Sequence, residues 1–86
     1  MTLTTIRYFA SVREAVGCAS ETIELPDELR TMGQVREWLA ARDPSHAEAL
    51  GASRVLRMAC DHVMAGADDA VVPGREIAFF PPVTGG

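Results

Sequence analysis

One amphipathic helix in the middle of the chain constrains the fold more than any other feature of the sequence. Thr31 and Gln34 have the spacing of a capping box, and Val35, Trp38 and Leu39 follow at the spacing of one helical face. With 86 residues the chain has room for one domain. The apolar face of this helix therefore has to be covered by a sheet that the same chain provides.

Short strands are predicted on both sides of that helix. Residues 3–8 mix β-branched and aromatic side chains, which predicts a first strand with Thr4, Ile6 and Tyr8 on its core face. Residues 21–25 alternate polar and apolar, which predicts a second strand that pairs with the first. Three later strands are predicted over residues 55–60, 63–64 and 75–80, with Ile77 and Phe79 on the core face of the last one.

Two shorter helices are predicted beside the main one. Residues 10–16 show helical spacing and stop at Gly17, a common C-terminal signal. Asp43 and Pro44 open a second short helix, in which Ala47 and Leu50 are expected to point inward. The order of elements predicts an α+β fold in which a mixed sheet wraps around one main helix.

Composition and charge exclude several classes of function. The net charge is −4 and no run of basic residues exists, so no nucleic acid partner is expected. No segment approaches the roughly 20 apolar residues of a membrane span, and we expect no membrane partner and a cytoplasmic location. Cys18 and Cys60 lack metal or redox spacing, and Cys60 is interpreted as a small buried hydrophobe. His46 is interpreted as a solvated surface residue, His62 as a turn residue, and no metal site is predicted.

The segment after the last strand is the most informative for function. Two prolines follow Phe80, and because proline lacks an N–H and holds φ at about −65°, they end the sheet and send the chain outward. The four residues after them reach about 13 Å when extended, enough to enter a pocket of another protein. We therefore predict a domain over residues 1–81 and an extended, flexible tail over residues 82–86. The residues expected to insert into a partner are Pro81, Pro82, Val83, Thr84 and Gly85.

The tip of the tail offers one reactive group. Gly85 and Gly86 carry no Cβ, so the backbone there can pass through a narrow channel. The α-carboxylate of Gly86 has an ordinary pKa of about 3.3 to 3.7, so it is ionised and a poor electrophile. To accept sulfur it has to be activated first, most simply as an acyl-adenylate made from ATP by a separate enzyme. A terminal Gly-Gly alone is often simple disorder, but the aromatic and proline residues before it make the combination specific.

The residues at both ends of the chain resemble one family. Residues 77–86, with the sequence IAFFPPVTGG, resemble the ending of the small, ubiquitin-like subunit of molybdopterin synthase. Residues 8–17, with the sequence YFASVREAVG, resemble its first strand-to-helix junction. Two places depart from the family pattern: Arg75 stands where an acidic residue is usual, and Asp61-His62 stand where an Asn-like turn is usual.

The resemblance implies a ubiquitin-like β-grasp fold and the role of a non-catalytic sulfur carrier in molybdenum cofactor biosynthesis. It implies that an E1-like adenylyltransferase uses ATP to adenylate Gly86 and that a sulfurtransferase or desulfurase converts it to a thiocarboxylate. It further implies that the tail enters the large catalytic subunit within a heterotetramer and donates sulfur to a pterin precursor there. No cofactor is expected to bind to the chain itself.

Alternation along the strands also predicts a docking surface. Phe80 is expected to face outward beside the prolines, and the first strand turns Arg7 and Phe9 outward. Phe9, Met64 and Phe80 are therefore predicted to form an apolar, partner-binding patch, at the place where the family's small subunit meets the large one. The alternative for Phe9 is that its ring simply caps the core.

Other functions use the same tail chemistry. The chain can be a sulfur carrier for thiamine, cysteine or a thiolated nucleotide, although the double proline favours the molybdopterin branch. It can also be a ubiquitin-like modifier that is joined to protein lysines through Gly86. An independent enzyme is poorly supported, because the sequence shows no Ser-His-Asp set, metal-ligand cluster or glycine-rich phosphate loop.

Overall fold

In a computed structural model, which describes residues 2–72 and 74–82, five strands form one mixed sheet and three helices pack against it. The strand order across the sheet is β2-β1-β5-β3-β4. β1 and β5 run parallel, and the other neighbours run antiparallel. In chain order the elements are β1 (Thr2–Tyr8), α1 (Ala10–Val16), β2 (Ser20–Leu25), α2 (Met32–Ala40), α3 (Pro44–Leu50), β3 (Arg57–Cys60), β4 (Val63–Ala65) and β5 (Ile77–Phe80).

The core lies between the helices and one face of the sheet. Thr4, Ile6 and Tyr8 of β1 are buried, as their alternation predicts, and so are Ile77 and Phe79 of β5. The rings of Tyr8 and Phe79 stack with their centroids 6.3 Å apart. The apolar sides of the helices complete the same cluster, chiefly through Val12, Met32, Val35, Leu39, Ala49 and Leu50.

α2 begins where the capping box predicts. The Thr31 hydroxyl accepts a hydrogen bond from the Gln34 backbone N–H at 3.2 Å, and the Gln34 side chain accepts one from the Thr31 N–H at 3.2 Å. Val35 is fully buried, but Trp38 is only partly buried, with the Arg42 guanidinium 5.7 Å above its ring. The buried stripe instead continues to Met32, so the prediction for Trp38 holds only in part.

α3 begins with Asp43 as N-cap and Pro44 in its first turn, as the sequence indicates. The prediction that Ala47 points inward is wrong, because Ala47 is exposed while Ala49 and Leu50 are buried. The helix presents residues 46, 49 and 50 to the core, which rotates its buried side away from Ala47.

His46 is therefore not a solvated surface residue, and that prediction is also wrong. The residue is 6% exposed, and its ring lies edge-on to Tyr8 with the centroids 6.1 Å apart. Burial is tolerated because both ring nitrogens have partners, Nδ1 with Asp43 at 2.9 Å and Nε2 with Glu21 at 2.7 Å. Glu21 lies on β2, 25 residues away in the sequence, so the pairing is invisible to local pattern reading.

β3 and β5 are shorter than the sequence pattern indicates. β3 begins at Arg57, opposite Phe80, and Val55 before it is 77% exposed. Phe80 is followed by Pro81, which has no N–H to donate to the residue before Arg57. The pairing of β3 with β5 therefore begins at Arg57. Asp61 and His62 form the predicted turn to β4, with φ angles of 53° and 69°. No helix within the described residues is long and apolar enough to cross a membrane.

Candidate functional site

The double proline follows the middle strand of the sheet. β5 lies between β1 and β3, and its last residue, Phe80, is followed by two partly buried prolines. Because Pro81 and Pro82 have no N–H, the ladder with both neighbours ends there and the chain departs from the sheet. The predicted sites at Val83, Thr84, Gly85 and Gly86 lie outside the described residues, so these roles and the domain boundary at residue 81 stay predictions.

The three residues of the predicted patch lie together on the outer face of the sheet. The rings of Phe9 and Phe80 meet edge to face, with centroids 6.5 Å apart and planes at 84°. Phe9 is 40% exposed and Met64 is 55% exposed. All three side chains line one shallow depression of about 440 Å³, which we call the docking depression. Their role in partner binding stays a prediction.

Two alanines, which the sequence reading did not single out, explain why the surface is concave there. The sheet register places Met64 opposite Ala59, Ala59 opposite Ala78, and Ala78 opposite Arg7, so the four residues form one row across β4, β3, β5 and β1. The methyl groups of Ala59 and Ala78 fill little space between the larger side chains at the ends of the row. The small residues are therefore the floor of the docking depression, and Met64 is part of its wall.

The position of Phe9 is set by its backbone. Its N–H donates to the Phe79 carbonyl at 3.2 Å, which extends the parallel pairing by one bond, and its own carbonyl accepts from Val12 at 3.1 Å as α1 begins. Tyr8 points into the core, so alternation turns Phe9 to the opposite face. Phe9 therefore lines the outer depression and does not cap the core, which decides between the two readings of this residue.

Charged side chains border the docking depression. Glu76 lies between two basic groups, with Arg7 at 3.5 Å and His62 at 3.5 Å. The Arg7 guanidinium also lies 5.5 Å from the centroid of the Phe9 ring. His62 is more than a turn residue, since it lines the depression with 79% of its side chain exposed. Strand alternation places Glu76 on the same face as Ala78 and Phe80, so the sequence pattern could have identified Glu76 as a residue of this rim.

The two departures from the family pattern meet in space. The Arg75 guanidinium donates to the Asp61 carboxylate at 2.8 Å. Both side chains are at least half exposed, so the pair contributes little stability. It does explain why a basic residue is accepted at position 75, because the turn at position 61 supplies the compensating charge.

A second depression lies beside the root of the tail. This tail-root groove has a volume of about 610 Å³, and Met64 lines both it and the docking depression. Pro82 forms part of its wall, so the groove adjoins the point where the tail begins. Arg36 and Arg57 are its two charged lining residues within the described chain.

The cysteines lie apart from the docking depression. Both are free thiols and partly buried, and Cys60 packs against the core as the sequence interpretation proposed, although it is not fully enclosed. Burial, together with the nearby Glu21 carboxylate, raises the pKa of the Cys18 thiol. A raised pKa keeps this thiol protonated and unreactive. Within the described residues, no group of three potential ligands is placed to hold a metal ion.

Comparison with protein families and curated sequences covers nearly the whole chain. The model of the ThiS family matches residues 6–86. A molybdopterin synthase sulfur carrier subunit from Haemophilus influenzae is 41% identical over 81 residues, which are 94% of this chain and 96% of that protein. The subunit of the same name from Escherichia coli is 36% identical, with the same coverage of both chains.

Solved structures are similar as well. The crystal structure of small archaeal modifier protein 1 from H. volcanii has a TM-score of 0.75 and covers 96% of this chain and 100% of that one. At 21% identity this likeness concerns the fold alone. It confirms the ubiquitin-like β-grasp fold, in which the mixed sheet packs against one main helix.

Proposed function

Because this chain belongs to the ThiS family, we propose that it is the sulfur carrier subunit of molybdopterin synthase and that Gly86 carries the sulfur. The subunit is non-catalytic on its own and acts by delivering an activated group. The observation that supports this role best is the combination of near full-length relatives with a double proline that leaves the sheet beside an exposed apolar depression.

The proposed chemistry takes place at one carbon atom. A Gly86 carboxylate oxygen attacks the α-phosphorus of ATP on an E1-like adenylyltransferase, and pyrophosphate leaves. A sulfur donor, either a sulfurtransferase or a desulfurase, carries a persulfide whose terminal sulfur attacks the acyl carbon and displaces AMP. A thiol then reduces the resulting acyl disulfide, so that the sulfur stays on Gly86 and the donor is released. The product is a terminal thiocarboxylate. ATP is consumed by the activating enzyme and is not a cofactor of this chain.

The large catalytic subunit is the proposed acceptor of the loaded tail. The two prolines restrict φ at the root of the tail, which lowers the conformational entropy lost on insertion. The docking depression at that root gives the large subunit an apolar surface to cover, so that recognition and sulfur delivery use different parts of the chain. The pterin precursor and the catalytic side chains belong to the large subunit in this proposal.

The test is to append one alanine after Gly86 and to assay cofactor synthesis with the activating enzyme, the sulfur donor and the large subunit. We expect complete loss of activity with unchanged folding, because the carboxylate is displaced from its position. The control carries the same alanine before Met1. Intact mass measurement of the native chain should show one oxygen replaced by sulfur at Gly86. Full activity of the extended chain would contradict the proposal.

Co-purification with the large subunit and mass measurement of adducts on the native chain separate the alternatives. A carrier for thiamine or cysteine would form the thiocarboxylate but would not co-purify with the large synthase subunit. A protein modifier would form isopeptide bonds instead. Since this chain has eight arginines and no lysine, such bonds would have to lie on lysines of other proteins. Isopeptide adducts without thiocarboxylate would therefore favour the modifier.

A further inference from the structure

We propose that the docking depression and the tail-root groove together fit an acidic surface of the large subunit, in which carboxylates surround an apolar protrusion and one of them meets Arg57. This inference rests on the proposed function, because it assigns the chemistry of the partner that receives the tail. It concerns how the partner is recognised and makes no change to the sulfur chemistry.

The charge of this region is opposite to that of the whole chain. The chain carries a net charge of −4. Among the residues that line the tail-root groove and the docking depression, however, three arginines stand against one carboxylate. The arginines are Arg7, Arg36 and Arg57, and the carboxylate belongs to Glu76.

This carboxylate is already paired within the chain, because Glu76 forms an ion pair with Arg7. The lining residues therefore offer no unpaired carboxylate to a basic partner, and a partner with lysines at this position would face repulsion from the remaining arginines. The excess of positive charge comes from the tail-root groove.

The two arginines of the tail-root groove differ in how many of their N–H donors are free to bind a partner. Arg36 donates to three backbone carbonyls at distances of 2.6 to 2.8 Å, so its donors are largely committed while its charge remains. Arg57 is exposed and forms no ion pair with any residue in 2–72 or 74–82. Arg57 is therefore the cation with donors available to a partner.

Arg57 also lies at the point that matters for docking. It stands directly opposite Phe80 in the sheet register, and it lines the groove together with Pro82 and Met64. A carboxylate that pairs with Arg57 would thus sit between the apolar contact and the entry of the tail. Such rim charges act mainly on the rate of association and on its salt dependence.

The test compares association rates of this chain with the large subunit at low and high salt. At about 50 mM salt we expect Arg57→Glu to associate about tenfold more slowly than the native chain, and the difference should shrink at about 500 mM salt because screening weakens the interaction. The control is Arg30→Glu, the same charge reversal at an exposed arginine before α2. Its association rate should stay within about twofold of the native rate.

Two outcomes would overturn the inference while leaving the proposed function intact. One is equal association of the two variants; the other is a native rate that does not fall with added salt. Circular dichroism of both variants shows whether each is folded, and Arg57→Ala provides a milder second variant with an expected loss of about threefold. A native chain that forms no complex with the large subunit would overturn the proposed function as well.

Discussion

The Nε2 atom of His46 lies 2.7 Å from the Oε2 atom of Glu21, and this contact joins the start of α3 to β2. The other ring nitrogen lies 2.9 Å from Asp43, so the ring faces a carboxylate on each side. An imidazole that donates from both nitrogens is the charged form. The Tyr8 hydroxyl donates to the same Glu21 oxygen at 2.8 Å, which ties β1 into the cluster.

This cluster makes the stability of the fold depend on pH. Burial alone would lower the pKa of His46, but its hydrogen bonds to Glu21 and Asp43 outweigh burial and raise that pKa above 6.5. The stabilisation from His46 is therefore complete below about pH 6.5 and is lost as the pH rises through the raised pKa of the folded state. Burial raises the pKa of Glu21, yet the hydrogen bonds from His46 and Tyr8 lower it overall to below 4.5. Its contribution is present above about pH 4.5 and is lost as the pH falls through the lowered pKa.

We predict that His46→Gln lowers the free energy of unfolding by about 2 kcal/mol at pH 5.5, because the partly buried Glu21 carboxylate loses a charged partner. As the pH rises above 6.5 through the raised pKa of His46, the native chain should lose stability, whereas the variant should change less. Urea unfolding at several pH values measures both effects. His62→Gln is the matched control, since His62 is 79% exposed, and it should keep the native pH dependence. Parallel curves for native chain and His46→Gln would refute this role.

Arg36 is predicted to be a structural residue of the loop after α3. Its Nε donates to the Leu50 carbonyl at 2.7 Å, and its Nη2 donates to the carbonyls of Gly51 at 2.8 Å and Arg54 at 2.6 Å. Arg36→Met keeps much of the aliphatic contact but leaves these acceptors without their donor. We expect a loss of about 2 kcal/mol in urea unfolding, since hydrogen bonds to charged groups contribute more than neutral ones. Arg30→Met serves as the control, and equal stability of the two variants would show that the carbonyls are satisfied by water.

The floor of the docking depression offers a test of the docking surface that leaves the tail unaltered. Ala78→Leu should fill the space between Phe9, Phe80 and Met64 with little effect on folding, because Ala78 is only partly buried. We expect the dissociation constant for the large subunit to rise by about tenfold, which corresponds to about 1.4 kcal/mol. Titration calorimetry measures it. Ala47→Leu, at an exposed position on α3, should bind normally. Unchanged affinity of Ala78→Leu would place the contact elsewhere.

Periodic patterns predicted the parts of the fold that depend on local geometry. The alternation around Ile6 and around Phe79 placed the correct faces of β1 and β5 in the core, because adjacent side chains of a strand point in opposite directions. The capping box at Thr31 located the start of α2, since its two hydrogen bonds involve residues three positions apart. The predicted start of β3 was less accurate. The strand begins at Arg57, opposite Phe80, because the residue after Phe80 is a proline, and that proline is distant from β3 in the sequence.

The residues of the candidate site were also predicted only in part. Phe9 and Phe80 were assigned to the outer face by alternation, and the structure brings their rings into contact. Ala59 and Ala78 were not singled out, because an alanine becomes the floor of a depression only when the register sets larger side chains around it.

The amino-acid sequence by itself determined the strand faces and the start of the main helix, because each depends on residues within a few positions of one another. Only the tertiary structure decided that His46 is buried against Glu21, that Arg75 is paired with Asp61 and that Arg57 lies opposite Phe80. These contacts join residues that are 14 to 25 positions apart in the chain, or that meet through strand register. The free energy that selects them comes from packing and hydrogen bonding of the whole domain, which no local pattern contains.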